Sequence, residues 1–102
     1  MNARVRPAFY EDVAREQLWL LEHASPEVAD RWHEAVWNTI SFLQSQPNLG
    51  RIRSDLERPG TRSWRVNGFK RWLIFYSVRG DDLVLFRVVS GTMNLLLLPI
   101  EG

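Results

Sequence analysis

The apolar pattern of this chain changes period once, across residues 47–61, and that change restricts the fold more than any other feature. Before it, apolar side chains recur every three or four positions, the spacing that lines one face of a helix. From Pro7 to about His23, Phe9, Val13, Leu20 and Leu21 fall near one face, while Glu11, Asp12, Arg15 and Glu22 lie mostly away from it. Ser25-Pro26-Glu27-Val28 then offers a capping hydroxyl, a proline at the first helical position and an acid where the helix dipole favours one. Ala29, Trp32, Val36, Ile40 and Leu43 continue that second helix until Gln46-Pro47 ends it. A short link between the two predicts an antiparallel helical hairpin.

After residue 61 the period is two. Ser63 to Asn67 alternates, and Trp72 to Val78 and Leu83 to Val89 are rich in aromatic and β-branched residues. Gly68 and Gly80-Asp81-Asp82 mark turns between them, so three strands in a meander are expected. Arg4-Val5-Arg6 reads as a short edge strand leading into the first helix, and Pro47, Gly50, Pro59 and Gly60 mark 47–61 as a connecting loop. The sheet needs a cover for its apolar face, and the hairpin is the candidate. Residues 1–102 are thus expected to form one α+β domain: a short N-terminal strand, then a helical hairpin packed on a small, mainly antiparallel sheet ending in the meander. Gly91 onward reads as a tail that re-enters the fold through Leu95 to Leu98.

Five Trp, five Phe and two Tyr supply enough buried area for a core without staples, and the absence of cysteine excludes disulfides and thiolate metal sites. The N-terminal residues lack the apolar run of a secretory signal, and Leu95 to Leu98 is far shorter than the roughly 20 residues that cross a bilayer. A cytoplasmic protein with no membrane association is expected. Charge is unevenly placed. Residues 1–48 hold four arginines against seven carboxylates, whereas residues 49–102 hold nine cations against five. Most of that excess lies in 51–71, which suggests a face prepared for an acidic partner, or else a solvated arginine-rich loop.

Candidate chemistry is sparse. His23 and His33 lack any ligand spacing and read as surface residues, so no metal and no cofactor are expected. Asp81-Asp82 fits a turn better than an acid–base pair, and Ser90 has neither an elbow motif nor a nearby base. The aromatics Trp64, Phe69, Trp72, Phe75 and Tyr76 interleave with cations, as on a base-stacking surface, yet strand alternation assigns several of them to the core. Trp72, Ile74 and Tyr76 would share one face, with Leu73, Phe75 and Ser77 on the other. Trp19 and Trp37 sit off the main helical stripes and suggest a partner surface.

Several segments, in order and spacing, resemble the ParE branch of the RelE/ParE toxins. They are Pro7-Ala8, Asp12-Val13, Pro26-Glu27-Val28-Ala29, Pro47-Asn48-Leu49-Gly50-Arg51, Arg58-Pro59-Gly60-Thr61-Arg62, Leu73-Ile74-Phe75-Tyr76 and Phe86-Arg87-Val88-Val89-Ser90-Gly91. The resemblance spans nearly the whole chain. It implies a RelE/ParE-like fold and a bacterial cytoplasmic toxin of a type II toxin–antitoxin (plasmid stabilisation) system. It also implies a cognate antitoxin whose C-terminal segment wraps the helices and sheet, and inhibition of DNA gyrase. The RelE branch, by resemblance, cleaves ribosome-bound message with an arginine on the middle meander strand, another just past the last strand, and a tyrosine. Here those places hold Leu73 and Thr92 or Met93, and no tyrosine follows Tyr76. Where ParE members commonly read His-Gly-x-Arg-Asp, this chain has Ser90-Gly91-Thr92-Met93-Asn94.

The leading expectation is a non-enzymatic toxin with no catalytic residue. It would grip antitoxin or target through Arg58, Arg62, Arg65, Lys70, Arg71, Arg87, Trp19 and Trp37. Two alternatives stand beside it: a ribosome-dependent endoribonuclease using a relocated set among Arg62, Arg65, Lys70, Arg71 and Arg87, and an inactive homologue retained for antitoxin binding. A homodimer or a hetero-oligomer with the antitoxin fits any of the three.

Overall fold

A computed structural model describes residues 1–91. The elements run β1 (Asn2–Val5), α1 (Pro7–His23), α2 (Pro26–Ser45), β2 (Arg51–Ile52), β3 (Arg62–Val66), β4 (Phe69–Arg79) and β5 (Asp82–Ser90). They build one five-stranded sheet in the order β1-β5-β4-β3-β2, antiparallel except for the parallel β1–β5 pair. Both helices start at prolines, whose fixed φ suits a first turn and whose missing N–H is not needed there. Ser25 caps α2, its Oγ accepting from the Val28 N–H at 3.1 Å. The Leu95 to Leu98 expectation lies outside the described residues, as does most of Ser90 to Asn94.

The hairpin covers one sheet face. Phe9, Val13 and Leu20 of α1 and Trp32, Val36, Ile40 and Leu43 of α2 pack with Val66, Trp72, Ile74, Tyr76, Leu83, Leu85 and Val88. The face assignment of Trp72, Ile74 and Tyr76 is as the alternation requires. Sequence periodicity misplaced two residues of α1. Leu21, expected in the core, is 45% exposed, whereas Asp12, expected outside, is 1% exposed. Asp12 is buried because β1 stops pairing with β5 at Leu85, leaving the β5 edge to α1. There the Asp12 carboxylate accepts the Val88 N–H at 3.1 Å and two Arg87 donors at 2.6 and 2.9 Å. A carboxylate thus stands in for the missing strand, and Arg87 and Arg15 supply its countercharge.

Two further expectations need correction. The opposite sheet face is also apolar. Phase slips where a bulge between Phe75 and Tyr76 shifts the β4–β5 register, and Phe75, Val84, Phe86 and Val89 gather on that side with Leu73 and Leu56. The hairpin is therefore not the only cover, since Leu56 from the 53–61 loop packs there too. Residues 47–61 also contain β2, a strand too short for any periodicity to reveal.

The segment before β2 is held by Tyr76. Its buried hydroxyl donates to the Pro47 carbonyl at 2.8 Å and accepts from the Gly50 N–H at 2.9 Å. A Cβ on Gly50 would come within 2.3 Å of that hydroxyl, so glycine is required by space rather than by φ. Burial pushes the Tyr76 phenol above its ordinary pKa, against the Gly50 hydrogen bond and the Arg62 charge.

Candidate partner-binding surfaces

The eight residues singled out from sequence do not form one surface. Arg62 is committed to the fold: its Nη1 donates to the carbonyls of Asn48 at 3.1 Å and Gly50 at 2.8 Å, pinning the segment that Tyr76 holds. Arg87 is likewise turned onto Asp12 in a largely buried pair. Arg58 lies on the second sheet face with its guanidinium 5.0 Å from the centre of the Phe86 ring. Trp37 is half-buried between the helices, with its ring against Phe9 and Tyr10 and its indole N–H donating to His33 Nε2 at 3.1 Å.

Trp19 and Arg71 do meet. The Arg71 guanidinium sits 5.5 Å from the Trp19 ring and 6.0 Å from that of Trp72. Trp19 also stacks on His23 at 4.6 Å and remains 39% exposed, while Trp72 is buried and donates to Glu16 Oε1 at 2.9 Å. An exposed indole held flat under a cation is a rigid amphipathic contact of the kind interfaces use. Nearby on α1, Tyr10, Ala14, Leu18 and Leu21 follow one another at helical spacing, and Tyr10 and Leu18 are each 56% exposed. This stripe faces away from the core. Sequence reading missed it, although the i, i+4, i+8 spacing of Tyr10, Ala14 and Leu18 was its signal.

Arg65 and Lys70 come together in a groove of about 470 Å³ beside β3. Arg51 and Arg53, absent from the sequence-derived set, join them there. Arg65 Nη1 donates to the Lys70 carbonyl, a contact that ties β3 to β4 at the edge of the groove. Arg53 grips Asp55 through two contacts at 2.9 and 2.6 Å and reaches Ser63 Oγ at 3.4 Å. That guanidinium holds the Asp55 carboxyl down at about 2, well below the usual carboxylate range. Leu49 and Leu73 add apolar surface. The cations of the groove suit carboxylates or phosphates in an extended ligand, and the described residues that line it include no nucleophile–base pair. Among the described residues, no group of three or more His, Asp or Glu side chains is placed to hold a metal ion, and no helix is long and apolar enough to cross a membrane.

The family model described as "ParE toxin of type II toxin-antitoxin system, parDE" matches residues 3–95. A curated relative, Toxin ParE3 of Caulobacter vibrioides, is 38% identical over 74 residues, covering 72% of this chain and 70% of its own length. A solved structure, described as the chromosomal ParDE TA system from P. aeruginosa, superposes with a TM-score of 0.74 at 19% identity. The match covers 88% of this chain and 95% of that one, and it shows that the two share a fold. With the family model matching from β1 to beyond β5, the chain belongs to the ParE toxin family of type II toxin–antitoxin systems.

Proposed function

We propose that this chain is a ParE-like toxin that inhibits DNA gyrase by binding it and is neutralised by a cognate antitoxin in the cytoplasm. The observation that carries the reading is the family match running from β1 to beyond β5. The sheet chemistry supports binding over RNA cleavage. Leu73, at the place where the RelE branch carries an arginine, packs among Phe75, Val84, Phe86 and Val89. Tyr76, the last tyrosine, lies on the helix side with its hydroxyl engaged by Pro47 and Gly50. Scissile phosphate chemistry needs a cation and a proton-transfer group on one surface; arginines border this face, Arg53 at Phe75 and Arg58 and Arg79 at Phe86, but the Tyr76 phenol is turned away from it. The exposed Tyr10–Leu18–Leu21 stripe and the Trp19–Arg71 pair are the parts suited to macromolecular contact.

Controlled expression in bacteria tests the proposal. Induction should arrest growth with plasmid DNA losing negative supercoiling while messenger RNA stays intact, and co-expressed antitoxin should reverse both effects. Message cleaved at ribosomes, with plasmid topology unchanged, would favour the RelE-like alternative. Unimpeded growth of cells making folded protein would favour an inactive homologue.

A further inference from the structure

We infer that the sheet face turned away from the helices holds duplex DNA by its phosphate backbone. The choice of DNA over another duplex rests on the function proposed above; the surface itself rests on where the fold puts its charge. Helices α1 and α2 together hold seven carboxylates and two arginines, so the helical side repels a polyanion. The other side is the reverse. Its apolar cluster contains Leu73, Phe75, Val84 and Phe86. Cross-strand partners share a face, so the register sets Arg65 beside Leu73, Arg51 beside Ser63 and through it Phe75, and Arg4 beside Val84. The Arg53 guanidinium lies 5.5 Å from the centre of the Phe75 ring, and those of Arg58 and Arg79 lie 5.0 and 5.6 Å from that of Phe86. Asp55 is taken up by Arg53 and Asp82 by Arg4. Among the described residues, Arg51, Arg65 and Arg79 have no carboxylate within ion-pair distance.

A second observation lies among these arginines. Ser77, opposite Val84 on the same face, is 4% exposed, and its Oγ has no hydrogen-bond partner. Buried hydroxyls are nearly always paired, and a phosphate oxygen held by Arg79, two residues along β4, would accept from this one. The arginines reach from β1 to β2, four strand spacings of about 4.8 Å, which is roughly 19 Å. A DNA strand advances about 3.4 Å of axis per phosphate, so about five phosphates fall within that width. The chemistry selects the partner further. Planar guanidinium forks match phosphate oxygens. Phe75 and Phe86 are fully buried beneath them, so no base can stack there, which favours a duplex with its bases already stacked over a single strand. An acidic peptide finds no free ladder, because β4 and β5 at the centre of the face are paired on both sides. With the Tyr76 phenol on the helix side, the face would hold a phosphate without the group that cleaves it.

Titrating a short fluorescein-labelled DNA duplex with the purified protein, by anisotropy across a salt series, tests the surface. Binding should be independent of sequence, and log affinity should fall against log salt with a slope of about −3 or steeper, each neutralised phosphate contributing about 0.9. Arg58→Gln/Arg79→Gln should bind at least about ten-fold more weakly and lose about two units of that slope. Arg31→Gln, on α2, should change neither. Should the first pair fail to fold by circular dichroism, Arg51→Gln/Arg79→Gln removes two exposed side chains and should give the same loss. Ser77→Ala should bind at least about three-fold more weakly yet melt no lower, because the hydroxyl it removes has no partner in the free protein. Absence of duplex binding at low salt overturns the inference, and so does an affinity or slope indifferent to the sheet-face substitutions or equally reduced by Arg31→Gln. Tighter binding of single-stranded DNA or of an RNA duplex, or displacement of the DNA by polyglutamate at equal charge, overturns it as well. Gyrase supercoiling reports separately on the proposed function. A protein that inhibits gyrase but leaves the duplex unbound sinks this inference and keeps that reading; one that binds the duplex and spares gyrase does the reverse.

Discussion

Replacing Tyr76 by Phe removes one oxygen from a site where that oxygen serves two partners. The hydroxyl donates to Pro47 at 2.8 Å and accepts from the Gly50 N–H at 2.9 Å. Each hydrogen bond contributes about 0.5–1.5 kcal/mol net, and stranding a buried donor costs about 1–3 kcal/mol. The Gly50 N–H is the buried partner, so the stranded donor dominates and the expected loss is about 2–3 kcal/mol. For a domain of this size that is a fall in Tm of roughly 10–20 °C. Thermal and urea unfolding followed by circular dichroism would measure it, with hydrogen exchange at Gly50 as a local readout. Gly50→Ala approaches the same contact from the other side, since its Cβ would lie 2.3 Å from the hydroxyl and 2.7 Å from Cε1. In the Phe background part of that clash is gone, so the double variant should lose less than the sum of the two singles. A loss below about 0.5 kcal/mol for Tyr76→Phe, or strict additivity, would refute the claim that this hydroxyl holds the loop.

Two other outcomes follow from buried and surface charge. Arg87→Met leaves the Asp12 carboxylate buried without its main partner and should cost about 3–5 kcal/mol; adding Asp12→Asn should recover part of that in urea unfolding, giving a clear coupling term in the double-mutant cycle. Asp55, held at about 2 by Arg53, favours the folded state fully above the ordinary carboxylate pKa. That contribution should disappear as pH falls from about 4 through about 2. An NMR titration should find the low value, and Arg53→Ala should return it toward 3.8.

Much of the architecture was legible because it depends on local pattern. Pro7 and Ser25-Pro26 announce both helix starts, and Gly68 and Gly80 turn the strands at positive φ, which glycine adopts without strain. What escaped was set by distant contacts. Asp12 looks like a solvent-facing acid until Arg87 and the Val88 N–H arrive from β5, 75 and 76 residues away. Phe75 and Phe86 alternate correctly, but only the β4–β5 bulge and the return of Leu56 reveal a second packed face. The candidate site suffered most. An arginine pattern cannot distinguish Arg62, spent on loop carbonyls, from Arg65, which borders an open groove. Arg51 and Arg53 joined that groove through a two-residue strand with no sequence signature.

The most direct test of the central claim is a supercoiling assay in which purified DNA gyrase is titrated with the purified protein, with and without its antitoxin. Supercoiling should fall as protein is added and saturate near stoichiometric binding, and antitoxin should restore it. Undiminished supercoiling by gyrase in the presence of excess folded protein would contradict gyrase inhibition.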